Sequence, residues 1–333
     1  MAYITLNKNH FFYNLDIIAK QTKSRDKIAL VLKDNAYGHG LLEMASLARE
    51  WGVSKAVVQT DAEAQQILSY FEYILVLADS PKSEQTPSQK IRYTINSLAS
   101  IEKFPQGTQV ELKVNTGMNR NGIEMDELQR ALSAIETRGL KLEAIFTHHG
   151  CADEMGEIYA TQKENFEEIK AASPKHLRFH SCNSAALFRE DNFSEDMARV
   201  GIAAYGCMEL PREISAVALK PVLSLYANKI ASRLLKRGES LGYGATFVAD
   251  RDMMVSTYDF GYGDGFLRSC SGRVQTPDGI QQIGRISMDN ASFITESERL
   301  CIFSDARELS NAAGTISYEI LTSLKPNLKR EII

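Results

Sequence analysis

The feature that most constrains this chain is an alternation. Between Lys27 and about residue 201, short runs of β-branched and aromatic residues, bounded by turn residues, take turns with segments whose apolar residues recur at helical spacing. That pattern is the mark of βαβ units, in which successive strands run parallel and the helix between them covers the sheet. The runs 28–32, 56–59, 73–78, 92–96, 109–115, 142–147, 176–180 and 198–203 read as strands, and 41–51, 62–68, 126–137, 159–172 and 184–188 read as helices. Eight strands with intervening helices predict a (β/α)8 TIM barrel, although the uneven period leaves a doubly wound sheet open. A barrel puts its chemistry just after its strands. Lys33, Arg120, His148, Ser184 and the stretch 199–201 all follow or end predicted strands.

After about Lys220 the texture changes to the strand-like runs 222–231, 253–258, 281–287 and 291–295, separated by Gly-rich turns, with a short helix expected over 318–324. The expected organisation is a barrel over 8–219 and a mostly β domain over 220–333, which the N-terminal strand 1–7 joins. No low-complexity linker separates the halves, so they should pack against each other.

Formal net charge is −4 and pI about 6.0, which supplies no basic field for nucleic acid or anionic lipid and points to a small-molecule partner. Cysteines at 151, 182, 207, 270 and 301 are odd in number and lack C-x-x-C spacing, so they read as reduced thiols. The N-terminus has neither a basic n-region nor an apolar h-region, and no apolar stretch is long enough to span a bilayer. A cytoplasmic protein without membrane contact is expected. His148, His149, Cys151, Asp153 and Glu154 are metal-like by type but not by spacing, so no metal is expected. The stretch Gly261-Tyr262-Gly263-Asp264-Gly265 is not G-x-G-x-x-G and gives no support to a dinucleotide.

Lys33 ends the apolar run 28–32. Read alone, it is either a strand-end lysine snorkelling to solvent or an amine desolvated enough to form a Schiff base.

The segment 31–40, Val-Leu-Lys-Asp-Asn-Ala-Tyr-Gly-His-Gly, resembles the cofactor-lysine signature of the alanine racemases, and the likeness continues in order along nearly the whole chain. It runs through 112–120, 146–148, 183–186 and 199–202, then through 242–246, 261–265, 284–289 and 316–319. The resemblance implies a pyridoxal 5'-phosphate (PLP) enzyme of barrel and β domain, a homodimer whose active site is shared between subunits, and a supply of D-alanine for peptidoglycan. It implies that Lys33 holds PLP as a Schiff base and then acts as one base at Cα, with Tyr243 of the other subunit as the opposite-face base. Arg199 matches the arginine facing the pyridine nitrogen, and His148 the histidine supporting it. Ser184, Gly201, Ile202, Tyr37 and Tyr318 match the phosphate site, where backbone N–H groups and hydroxyls take the place of a nucleotide loop. Arg120 matches the arginine near the cofactor's phenolic oxygen and the substrate carboxylate, and Lys113 a position often carbamylated. Tyr262, Met288 and Asp289 match residues that narrow and close the substrate pocket, which favours a methyl side chain.

Some positions depart from the family pattern. Asp34 and Asn115 replace alanine and aspartate, Val200 a proline, Asn290 a glutamine, and His149-Gly150 a Phe-Ala pair, while Leu328-Lys329-Arg330 lacks the usual Arg-x-Pro-Arg ending. None removes a catalytic group. The rival readings are a racemase of broader specificity acting on serine or lysine, a basic amino-acid decarboxylase, and a non-catalytic PLP-binding protein built from the barrel alone. Tyr243 within Gly-Tyr-Gly-Ala-Thr speaks against the last two, because neither needs an opposite-face base.

Overall fold

The computed structural model describes residues 1–81, 88–211, 213–214 and 217–333. Strand β1 (Tyr3–Leu6) and helix α1 (Lys8–Thr22) precede a sheet of eight parallel strands: β2 (Ile28–Val31), β3 (Lys55–Val58), β4 (Tyr73–Val76), β5 (Ile91–Ile95), β6 (Gln109–Lys113), β7 (Lys141–Phe146), β8 (Arg178–His180) and β9 (Ala198–Val200). β2 and β4 are buried at every residue, as parallel strands covered on both faces must be. The spatial order is sequential from β2 to β8, and β9 pairs back onto β2. Between β8 and β9 the backbone bonds Asp196 N–H to Phe179 O (3.2 Å) and Arg199 N–H to Cys182 O (2.9 Å) bridge the remaining seam. The fold is therefore a (β/α)8 barrel rather than a doubly wound sheet.

Helices α2 (Lys33–Tyr37), α3 (Leu41–Trp51), α4 (Asp61–Ile67), α5 (Leu128–Thr137), α6 (Ile158–Ala172) and α7 (Ser184–Arg189) follow barrel strands. Every expected barrel strand is present, ending one to three residues early or starting within two residues of the expected position; the most shortened is β9, and β8 leaves His176 outside the strand that it was expected to share with His180. Helix α1 is an addition to the expected elements. Its buried side includes the polar Asn14 and Thr22 beside Phe11, Leu15 and Ile18, which breaks up the apolar stripe.

The second half carries β10 (Leu223–Leu235), β11 (Ser240–Leu241), β12 (Phe247–Val248), β13 (Met253–Tyr258), β14 (Gln282–Ile283), β15 (Ala291–Phe293), β16 (Arg299–Phe303), α8 (Ala306–Ala313), α9 (Ser317–Ser323) and β17 (Lys329–Ile332). Its main sheet takes in β1, which lies between antiparallel β10 and parallel β17. Among the described residues no helix is long and apolar enough to cross a membrane.

Candidate active site

At the C-terminal ends of the barrel strands lies a cavity of about 670 Å³ lined by Lys33, Tyr37, Lys113, Arg120, His148, Ser184, Arg199, Gly201, Ile202 and Tyr318, among others. Residues expected from distant parts of the sequence thus share one concave site. Its lining is mainly cationic, with Lys33, Lys113, Arg120 and Arg199 against the single carboxylate of Asp34.

Lys33 opens α2, yet the four residues after it do not form an ordinary helix. Asp34, Asn35, Ala36 and Tyr37 all have φ near +50°, a left-handed turn built from non-glycine residues. Each such residue costs about 1–2 kcal/mol, so the turn persists only because its surroundings over-determine it. Asp34 N–H donates to Glu63 Oε1 (2.9 Å), Leu41 N–H to Asn35 Oδ1 (2.9 Å) and Gly40 N–H to Asn35 O (2.9 Å). Arg330 of β17 closes the turn from the other domain, donating to Gly38 O through Nε (3.1 Å) and Nη2 (2.8 Å). The Lys33 amine lies 3.0 Å from Asp34 Oδ2 with its side chain 31% exposed, so it is ion-paired rather than dry. Of the two readings of this lysine, strand-end snorkelling and desolvation, its partial exposure and ion pair put it between them.

Arg199, the middle residue of β9, is buried. Nη1 donates to His180 Nδ1 (2.5 Å) and His180 O (3.2 Å), and Nη2 to Thr147 O (2.7 Å) and Ser181 O (2.9 Å). A guanidinium has five N–H donors, so these bonds use both Nη groups and leave Nε–H. The histidine that holds Arg199 is therefore His180, not His148. His148 is half-buried in the cavity wall, where burial and the Arg199, Lys113 and Arg120 cations hold its pKa well below the usual value and keep its ring neutral.

Ser184 begins α7, but Asn183 caps it, accepting from Ala186 N–H at 2.9 Å. Ser184 Oγ is thereby free to accept from Gly201 N–H (3.2 Å) and Ala203 N–H (3.3 Å). A Cβ at Gly201 would lie 2.8 Å from Tyr37 Cε2, so only glycine lets that phenol approach the backbone. The Tyr37 and Tyr318 rings are 5.6 Å apart, and burial raises both phenol pKa values, which keeps them protonated donors.

Lys113 donates to Asn121 Oδ1 (2.5 Å), and burial together with the Arg120 and Arg199 cations lowers its pKa to about 8. Asn115 organises the loop that carries the exposed Arg120: its Oδ1 accepts from Gly117 N–H (3.2 Å) and Asn119 N–H (2.9 Å), and its Nδ2 donates to Glu124.

The remaining expected residues lie outside the cavity. Tyr243, Met288 and Tyr262 are 64%, 56% and 42% exposed, and Asp289 is exposed as well. Two of these segments meet: Tyr262 N–H donates to Ser287 O (3.0 Å) and Gly263 N–H to Met288 O (2.7 Å). Among the described residues no group of three His, Cys, Asp or Glu side chains is arranged for a metal. Sequence reasoning missed Glu111, which contacts His180; a carboxylate at an inward position of a core strand was the available signal.

Residues 6–209 match the family model described as alanine racemase, N-terminal domain, and residues 222–332 that of the alanine racemase C-terminal domain. A curated alanine racemase of Nitratiruptor sp. is 41% identical, covering 99% of each chain, and one of Campylobacter curvus is 40% identical over 100% of both. The crystal structure of alanine racemase from Bacillus anthracis with bound L-Ala-P superposes with a TM-score of 0.88 at 25% identity, covering 100% of this chain and 95% of that one.

Proposed function

The chain belongs to the alanine racemase family, and from that premise we propose that it is an isomerase interconverting L- and D-alanine with pyridoxal 5'-phosphate held in the barrel mouth. The donor set suits that group. The primary amine of Lys33, the Tyr37 and Tyr318 phenols and Arg199, whose Nη groups are spent on other partners while Nε–H is not, all line the cavity. Bound there, the cofactor supplies an electron sink that acidifies the α-hydrogen of an amino acid.

In this reading Lys33 would hold the cofactor and its amine would carry a proton to or from one face of Cα, while the Tyr243 phenol of a partner subunit would do so from the other. Arg199 donates a hydrogen bond to the ring nitrogen without surrendering a proton, because arginine stays charged at any biological pH. Ser184, Gly201, Ile202, Tyr37 and Tyr318 would hold the phosphate. Arg120 would receive the substrate carboxylate, and neutral His148 lines the same cavity. Tyr262, Met288 and Asp289 of the partner close the pocket to side chains larger than methyl. The product would serve peptidoglycan synthesis.

The observation that carries this reading is the convergence of Lys33, Arg199 and the two tyrosines on one cavity at the C-terminal face of the barrel. Its test is optical rotation with L-alanine on wild type and Tyr243→Phe. The variant is expected to lose racemisation roughly 10²- to 10⁴-fold while keeping the visible absorption of the bound cofactor. Unchanged activity would remove Tyr243 from the mechanism. Faster turnover of serine or lysine than of alanine would replace the substrate, and a loaded protein that exchanges no α-hydrogen with deuterated solvent would be a carrier.

A further inference from the structure

A carboxylate wholly out of water on a barrel strand is strongly unfavourable unless it is paired, so the buried Glu111 of β6 must have an occupation. Strand alternation sets it on the same inward face as Lys113. Oε1 accepts from Tyr73 Oη (2.5 Å) and Arg178 Nη2 (3.2 Å), and Oε2 meets His180 Nε2 at 2.8 Å. Across that ring, Nδ1 lies 2.5 Å from Arg199 Nη1.

These contacts fix the proton on the imidazole. A guanidinium can only donate, so Nδ1 must be the bare, accepting nitrogen and the ring's proton must sit on Nε2. Only an acceptor can receive that proton, and Glu111 is the acceptor in place. Burial lowers the pKa of His180 in spite of the neighbouring carboxylate, in keeping with a neutral ring.

We propose that Glu111 is a positioning residue for racemisation: it holds His180 as the Nε2–H tautomer, which makes Nδ1 an obligatory acceptor for Arg199 and leaves Nε–H as the donor Arg199 offers the cofactor ring. The proposal rests on the reading that Arg199 faces the ring nitrogen. A carboxylate behind a histidine controls which nitrogen carries the proton, and so what the histidine's other partner does. Glu111→Gln keeps the volume but can present an amide N–H to Nε2. Arg178 can only donate and so draws the amide oxygen, which leaves the amide N–H at Nε2 competing with the guanidinium at Nδ1 for the one bare nitrogen of a neutral ring.

The test uses the full chain loaded with pyridoxal 5'-phosphate and labelled with nitrogen-15 in histidine, the His180 resonances being assigned by their loss in His180→Gln. Wild-type His180 is expected to be protonated on Nε2 alone. Glu111→Gln is expected to carry a proton on Nδ1, to shift the absorption maximum of the bound cofactor, and to lower kcat roughly 10- to 100-fold. Its KM for alanine should change by less than about threefold, because substrate binding is not what the pair controls. A wild-type ring protonated on Nδ1 overturns the proposal by itself, so a variant that fails to fold does not rescue it. A variant with the reversed tautomer and wild-type kcat overturns it equally. If Arg199→Lys leaves cofactor absorption and turnover unchanged, the reading of Arg199 falls while the tautomer assignment of His180 stands.

Discussion

Lys113 and Arg120 bring like charges to one side of the cavity, and the hydrogen-bond acceptor at the Lys113 amine is the neutral amide oxygen of Asn121. With its pKa lowered to about 8, the amine is half neutral near that pH, and only the neutral form attacks carbon dioxide. Attack forms an N–C bond and releases a proton, turning a cation that repels Arg120 into a carboxylate that can orient it. We therefore expect a carbamate resonance in protein exposed to carbon-13 bicarbonate, growing as pH rises through about 8 and absent from Lys113→Ala. No such signal at pH about 9 would leave Lys113 an ordinary amine. Residues of this kind were legible in the sequence because each sits in a short motif beside a strand end, where a barrel concentrates its chemistry. Glu111 and His180 were not. They stand on different strands, and their meeting at 2.8 Å depends on how the sheet curls.

The left-handed turn after Lys33 is an element that local propensity would never select, since Ala36 and Tyr37 have no intrinsic reason to adopt positive φ. It is imposed from outside, by Glu63, Arg330 and the backbone of α9. Gly38 shows how tightly: φ is +73°, and a Cβ there would lie 2.0 Å from Leu321 O. Gly38→Ala should cost roughly 2–5 kcal/mol of stability from the left-handed strain and the clash together. Urea unfolding measures it, and a loss below about 1 kcal/mol would mean that α9 can retreat from the turn. The same dependence on distant partners explains which elements were legible. The barrel strands and α3 carry their own pattern, and α3 was expected at its observed bounds. Strand β17, Lys-Arg-Glu-Ile, has no apolar alternation and is a strand only because it pairs with β1, at the other end of the chain. Helix α8 buries only Ala306, Leu309 and Ser310, too slight a stripe to read among the strand-like runs that surround it.

At the scale of the whole molecule the two halves are not separable modules. β1 belongs to the second sheet, and α9 brings Tyr318 into the barrel cavity. One chain nevertheless leaves part of the expected machinery outside. Tyr243, Tyr262 and Met288 stand exposed on the β domain, where large side chains usually find cover in an assembly. If two chains related by a twofold axis each complete the other's cavity, a site needs Lys33 from one subunit and Tyr243 from its partner. Lys33→Ala and Tyr243→Phe should then both be inactive as homodimers. Unfolded together in equal amounts and refolded, half of the dimers are mixed, and each mixed dimer holds one site with both bases intact. Activity should recover to roughly a quarter of wild type. Recovery to that level requires the two bases to come from different chains, whereas no recovery in a mixture shown by sedimentation to be dimeric would place Lys33 and Tyr243 on the same chain and make the exposed tyrosine a residue that must move to act.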